Sequence, residues 1–312
     1  MRQPARHSAA PSSKQGFVIV AVLWLLAALA ALATIFSIYL SNSARALAVN
    51  DTALQAQALV SAGVELTAYQ LQLAGKDARP ALGSFQLRLN GADLAVSFVT
   101  EAARVDLNSA PKELIAGLLS VLGAAEEDAR EYADRVVAWR TKSTPQTAGN
   151  EDALYRAAGR SYSPRQAPFA HANELALVLG IPPGLVERAL PFVTVFSAAA
   201  GVDVMTAPPE VIAALPGMTP LTLKQFLQER AGLPNDPAAI AAALGGAAKS
   251  NATAQKSQAY RILIRVRFPR GPESVSEVVI ALRGEENPYR VLSWQDDVQG
   301  EVTRRGRTPM GL

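Results

Sequence analysis

Apolar residues form one uninterrupted stretch near the amino terminus of this 312-residue chain. No charged side chain occurs among the 24 residues from Phe17 to Leu40. As a helix with a rise of about 1.5 Å per residue, this stretch would be about 36 Å long, and the hydrocarbon core of a bilayer is about 30 Å thick. The pattern therefore predicts a transmembrane helix over residues 17–40.

The helical pattern continues beyond the apolar stretch. No proline occurs between Ser41 and Leu73, and leucines recur there at roughly helical spacing. Gly75 then provides a typical C-terminal stop signal. The sequence predicts one long helix from Phe17 to about Ala74, with its first half in lipid and its second half packed on a soluble domain.

Alternating apolar and polar residues predict five strands in two groups that lie far apart in the chain. The first group flanks Asn90-Gly91, which is a strong hairpin signal. A helix on an antiparallel sheet gives an α+β domain, with its first part in residues 41–101 and its second part, including the tail, in residues 257–312. The predicted strands are Phe85–Leu89, Leu94–Thr100, Tyr260–Phe268, Val275–Leu282 and Tyr289–Trp294.

Residues 102–256 have a helical pattern and predict an all-α insert that splits this sheet. Within the insert, Val105–Leu118 aligns with Val202–Leu215 at an offset of 97, and eight of the 14 positions are identical. We expect Ser109 and Thr206 to cap the helix that begins in each copy, each helix having proline and glutamate in its first turn. These units resemble helix-hairpin-helix, or SAM-like, folds.

Charge and residue content exclude several kinds of chemistry. The chain has no cysteine, which excludes disulfides and thiolate sites, and its two histidines, His7 and His171, are too few for a zinc site. Neither a G-x-S-x-G motif nor a glycine-rich phosphate loop is present. We expect His171 to have a surface or capping role, and the sequence predicts a protein that is not an enzyme.

The first 16 residues carry three basic side chains and no acidic one, so they should stay in the cytoplasm and leave the remainder beyond the membrane. The junction Lys14-Gln15-Gly16-Phe17 resembles a prepilin processing site, where an inner-membrane prepilin peptidase cuts after glycine and methylates the new amino terminus. The resemblance implies a leader over residues 1–16, recognition through Lys14, cleavage between Gly16 and Phe17, and N-methylation of Phe17. An ordinary signal anchor and a cleaved secretory signal are the alternatives.

Six further segments carry a family resemblance: VDLNSAPKEL from 105, ADRVVAWR from 133, YRAAGRSYSPRQAPF from 155, NELALVLG from 173, VDVMTAPPEVIAALPGM from 202 and PYRVLSW from 288. With them, nearly the whole chain resembles the general secretion pathway protein K (GspK) family of type II secretion minor pseudopilins. Most pilins have Glu at the fifth mature position, whereas protein K departs from that rule and Ala21 occupies the position here.

The resemblance implies a subunit at the tip of a short periplasmic filament that supports filament initiation and the export of folded proteins across the outer membrane. The implied partners are the minor pseudopilins I, J and H, the inner-membrane secretion platform and the prepilin peptidase. The implied location is the inner membrane, crossed once, with the C-terminal domain in the periplasm. We expect no cofactor. A calcium site stays open, because Thr141 and Lys142 follow Arg140 where relatives are often acidic, although Glu151 and Asp152 are nearby.

A DNA-binding or DNA-uptake protein is the rival interpretation, because helix-hairpin-helix units often bind phosphates through their hairpin amides. Residues 101–250, however, carry 13 basic and 16 acidic side chains, a net charge of −3. One expected hairpin contains Pro216, which has no amide hydrogen to donate. The sequence therefore predicts no nucleic-acid partner.

Overall fold

The computed structural model describes residues 14–144, 149–234, 236–245, 252–253, 257–269, 273–283, 288–296 and 298. Most of the predicted leader, residues 1–13, and the tail after residue 298 lie outside these ranges. The chain divides into two compact units between Ala58 and Leu59. The α-helices are α1 (Lys14–Leu73), α2 (Gly75–Ala78), α3 (Lys112–Val121), α4 (Glu126–Arg140), α5 (Asn150–Ala157), α6 (Pro183–Ala189), α7 (Pro209–Ala213), α8 (Pro220–Glu229) and α9 (Pro237–Leu244).

Nine strands occur in the described part of the chain, and five of them form the main sheet. The main sheet is antiparallel throughout, in the order β1-β2-β7-β8-β9. The strands are β1 (Leu82–Leu89), β2 (Ala92–Thr100), β3 (Val105–Asp106), β4 (Val193–Thr194), β5 (Val202–Asp203), β6 (Ala252–Thr253), β7 (Ala259–Arg267), β8 (Ser274–Leu282) and β9 (Tyr289–Gln295).

The first unit contains the amino-terminal part of α1, and it has the character of a membrane span. Val18–Ser41 has a mean hydropathy of 2.8, and all of its side chains are exposed. Apolar side chains surround this part of the helix, as expected where lipid is the solvent. The predicted helix is confirmed, and it ends at Leu73, before Gly75, which has a φ of +66°.

In the second unit, the last part of α1 packs on one face of the main sheet. The core between them includes Val60, Val64 and Leu71 of the helix and Val96 and Ile264 of the sheet. The predicted hairpin is also confirmed, because residues 90 and 91 have φ angles of +49° and +78°. Two positive φ angles are typical of the type I′ turn, which matches the twist of the strands it connects.

The insert lies between β2 and β7 and contains α3 to α9. The sequence predicted an all-α insert, but the insert also contains two short parallel ladders, in which β3 pairs with β4 and β5 pairs with β6. Val105 pairs with Val193 across 88 residues of sequence, and two-residue strands have no detectable periodicity. Such pairs are created by tertiary contacts, and the local pattern could not indicate them.

The predicted caps at Ser109 and Thr206 are wrong. The residues before α3 and α7 are Pro111 and Pro208, and neither helix has a side-chain cap. An aspartate at the start of each copy instead accepts the free amides of the loop. The glutamates of the repeat do lie in the first turns of α3 and α7, as expected.

Candidate assembly sites

The predicted processing junction lies at the start of α1. Residues 14–17 have helical backbone, so cleavage between Gly16 and Phe17 would require the first turn to unwind. Ala21 lies one turn further along and is exposed within the apolar segment. These residues are neighbours along the helix.

Glu101 is the centre of a buried charge cluster where the main sheet meets the insert. Its side chain is 0% exposed. Oε1 accepts hydrogen bonds from Nε of Arg261 at 2.7 Å and from Nη1 of Arg104 at 3.2 Å, and the hydroxyl of Thr194 donates to Oε2. Arg261 also pairs with Glu277. The cluster therefore ties β7 and β8 of the sheet to β4 of the insert.

The cluster stays charged in the folded protein. Burial alone would raise the pKa of the Glu101 carboxyl, but the charges of Arg261 and Arg104 and the hydrogen bonds outweigh burial and hold this pKa below its usual value. Burial alone would lower the pKa of Arg261, but Glu101 and Glu277 raise it above its usual range. The buried carboxylate with these partners fixes the position of the insert on the sheet, because moving one relative to the other would leave a buried charge unpaired.

Asp106 organises the loop of the first repeat. Its Oδ1 accepts from the backbone N–H groups of Asn108 at 2.7 Å and Ser109 at 3.1 Å. Its Oδ2 accepts from Ala198 N at 2.8 Å. Burial raises the pKa of Asp106, although these hydrogen bonds oppose the shift. The carboxylate thus joins the repeat to the segment after β4.

Asp203, the equivalent residue of the second repeat, has a smaller set of donors. It accepts from Met205 N at 3.1 Å and from the Thr206 hydroxyl at 2.7 Å. Burial raises its pKa as well, and these two hydrogen bonds and the charge of Arg230 oppose the shift. The repeat detected in the sequence therefore corresponds to a repeated loop geometry built on an aspartate.

An arginine holds the same carbonyl group in each repeat. Arg140 donates to the carbonyl oxygen of Ala110 at 2.7 Å, and Arg230 donates to that of Ala207 at 2.8 Å. Ala110 and Ala207 are equivalent at the offset of 97, whereas the two arginines are only 90 residues apart. The sequence alignment therefore could not pair these arginines, although Arg140 ends one of the segments that carry the family resemblance.

The two repeats meet at equivalent positions. A Cβ added to Gly117 in α3 would lie 2.2 Å from the carbonyl oxygen of Ala214, which directly follows α7. Ala214 is itself the equivalent of Gly117, so each copy presents the same point to the other. Contact between equivalent points is typical of two units related by a pseudo-twofold axis.

Three of the resemblance segments come together around Trp139. Its ring stacks on Phe169 with centroids 6.0 Å apart and lies 6.3 Å from Tyr155. Its Nε1 donates to Glu174 Oε2 at 3.3 Å. These segments therefore build the core of the first half of the insert, and their shared role is packing.

His171 caps a short helix, as expected. Its Nδ1 accepts from Asn173 N at 3.2 Å at the start of the 3₁₀ helix Ala172–Leu177. In the described residues no group of three metal-ligating side chains converges. Oδ1 of Asp152 is buried without a hydrogen-bond partner in the described part of the chain.

Comparison with known proteins gives a family. Residues 88–198, which contain the Trp139 core and the first repeat, match the family model described as type II secretion system (T2SS), protein K. The match covers about a third of the chain, and over that stretch the chain is similar to protein K of the type II secretion system.

A solved structure shares the fold of this chain. The structure is the GspK-GspI-GspJ complex from the enterotoxigenic Escherichia coli type 2 secretion system. One chain of that complex superposes with a TM-score of 0.61 and 18% identity, covering 80% of this chain and 98% of that chain. No curated protein matches the chain in sequence. At this identity, the structural likeness is evidence for the fold.

Proposed function

We propose that the protein sits at the tip of the type II secretion pseudopilus, where it supports filament initiation and the export of folded proteins across the outer membrane. The observation that carries the proposal is the bulk of the insert, fixed rigidly to a pilin-like sheet by the Glu101 cluster. The proposed neighbours are minor pseudopilins I and J, by likeness to the solved complex, together with H and the inner-membrane platform. The role is assembly, with no enzymatic step and no cofactor.

The insert is too large to repeat along a shaft of closely packed subunits. Packed helices lie about 8–10 Å apart, whereas a compact body of about 150 residues has a radius of gyration near 15 Å. Such bodies would clash if every subunit carried one. A single copy at the end of the filament has free space above it.

Ala21 supports the same position. A carboxylate within the bilayer is costly and is normally paired, and a terminal amine of a neighbouring subunit is a suitable partner for it. Ala21 offers no carboxylate to a subunit placed ahead of it. A subunit at the tip has no such neighbour and loses nothing by the change.

The membrane arrangement is part of the proposal. The Val18–Ser41 span would cross the inner membrane once, with the basic leader in the cytoplasm and the second unit in the periplasm. We expect the prepilin peptidase to cut after Gly16 and to methylate Phe17. Mass spectrometry of the membrane-extracted protein checks this, and an intact leader in cells with active peptidase would contradict it.

The tip position can be tested by labelling. Because the chain has no cysteine, Glu127→Cys places a single gold-labelled thiol on the exposed start of α4. We expect electron microscopy of overexpressed filaments to show label at one end. The matched control is a labelled major pseudopilin, which should mark the shaft, and label from Glu127→Cys along the shaft refutes the proposal.

A further inference from the structure

Strand β1 is an open edge of the main sheet. It runs for eight residues and pairs with β2, and no other described residue pairs with its outer side. An edge strand presents a row of backbone N–H and C=O groups that can hydrogen-bond to another chain. Long edges are usually protected by proline, by bulges or by several charges, whereas β1 has neither proline nor bulge and only one charged residue, Arg88.

The opposite edge strand, β9, has an irregular register and is contacted by helix α1. Its pairing with β8 contains a register shift between Val279 and Ile280. Helix α1 also holds this edge: the Tyr289 hydroxyl donates to Glu65 at 2.7 Å, and Gln72 donates to the carbonyl oxygen of Pro288 at 2.5 Å. The fold therefore secures one edge and leaves the other available.

The apolar layer beneath the sheet is incomplete at β1. Phe85 and Leu87 point into the core shared with α1, yet both remain only half-buried. Leu89, on the same face at the end of β1, is exposed. A strand added beside β1 would cover these side chains and continue the core.

The outward face of the sheet indicates the charge of that strand. Cross-strand pairing places Arg88 beside Asp93, and Asp93 beside Arg267, so charge alternates across β1, β2 and β7. Arg88 and Asp93 are joined by a loose pair at 3.6 Å with side chains 71% and 67% exposed. Opposite charges on directly paired residues stabilise a sheet, and like charges destabilise it. The position beyond Arg88 therefore favours an acidic residue.

We propose that an extended segment of a neighbouring subunit adds to the sheet along β1, with alternating apolar and polar residues and an acidic residue opposite Arg88. Its apolar residues would cover Phe85 and Leu87, and its polar residues would face Gln86 and Ser84. The proposal rests on the proposed function, because the neighbour is another protein of the same filament tip.

Site-specific cross-linking tests this surface in the complete chain. Ser84→Cys and Gln86→Cys each place a single thiol on the outward face of β1, and Arg290→Cys provides a matched exposed site on β9. Each variant is coupled to a benzophenone maleimide and irradiated in membranes that contain the assembled secretion system. Mass spectrometry then identifies the cross-linked residues.

We expect both β1 variants to cross-link to one extended, acidic segment of another subunit, with a yield about fivefold above that from β9. Adding Arg88→Glu should lower the β1 yield about fivefold, because an attractive exposed pair becomes repulsive. Arg88→Lys and Arg290→Glu should leave it unchanged. The proposal would be overturned if the β1 variants gave no cross-links, or if they cross-linked to this chain itself or to a helical or basic segment. Equal cross-linking yields from β1 and β9 would also overturn it. Leader processing and end-labelling, measured on the same variants, report separately on the proposed function.

Discussion

Glu101 shows how one carboxylate can hold two parts of a fold together. Glu101→Gln removes the charge that Arg104 and Arg261 share, and losing one partner of a buried pair costs roughly 3–5 kcal/mol. We expect a loss near the lower end, since Arg261 keeps Glu277. Denaturant unfolding of the full chain in detergent micelles, followed by tryptophan fluorescence, measures it. Glu126→Gln is the control, because its pair with Arg130 is exposed and should change stability by less than about 0.5 kcal/mol.

The same residue predicts a pH dependence. The pKa of Glu101 is lower in the folded protein than its usual value of 4.5, so its stabilisation is complete above that value and is lost as the pH falls through the folded pKa. Asp106 and Asp203 act in the opposite direction, because their raised pKa values favour protonation in the fold. We expect the wild type to lose more stability below pH 4.5 than Glu101→Gln does. Equal acid slopes for the two proteins would contradict the assigned role.

The two repeat aspartates should respond differently to amide substitution. Asp106→Asn turns an NH₂ group towards backbone N–H donors, because both carboxylate oxygens of Asp106 accept from backbone amides, which cannot themselves accept. In Asp203→Asn, the Thr206 hydroxyl can reverse and accept from the new amide. We expect Asp106→Asn to cost about 2 kcal/mol and Asp203→Asn at least 1 kcal/mol less. The same unfolding assay measures both, and equal losses would show that donor chemistry does not control the loops.

At the scale of elements, the contact between α3 and α7 depends on a missing side chain. Gly117→Ala places a Cβ 2.2 Å from the Ala214 carbonyl oxygen, which belongs to backbone and cannot rotate away. The helices must separate, and we expect a loss of about 1–3 kcal/mol in the free energy of unfolding. Gly232→Ala is the matched control, since nothing lies within 4 Å of its added Cβ. If both variants unfold alike, the repeats do not pack through Gly117.

Sequence patterns predicted the elements that local periodicity controls. The apolar run and the leucine spacing predicted α1, and alternation around Asn90-Gly91 predicted the first hairpin. The loops of the repeat were predicted less well. Ser109 and Thr206 have the chemistry of caps, but the aspartate three residues earlier in each copy binds the loop, and propensity alone cannot choose between two suitable side chains.

At the scale of the whole molecule, the charge cluster could not be predicted from the sequence. Glu101 and Arg261 are 160 residues apart, and neither belongs to a recognisable motif. The sequence repeat showed that the insert contains two related units, but it did not show that Gly117 of the first would contact Ala214, its equivalent in the second. Composition gives the insert its net negative charge, and the expectation that it binds no nucleic acid stays a prediction. What the sequence did not reveal is which residues far apart in the chain contact each other in the folded protein.

The position of the insert between β2 and β7 also bears on how the chain folds. Thr100 pairs directly with Tyr260, so the 159 residues from 101 to 259 take the place of a hairpin turn. Closing an unstructured loop of that length would cost about 3 kcal/mol more in chain entropy than closing a four-residue turn. An insert that folds first brings its two ends together and removes most of this cost. Folding order then favours the insert as the early unit, and the sheet can select its register afterwards as though β2 and β7 were consecutive strands.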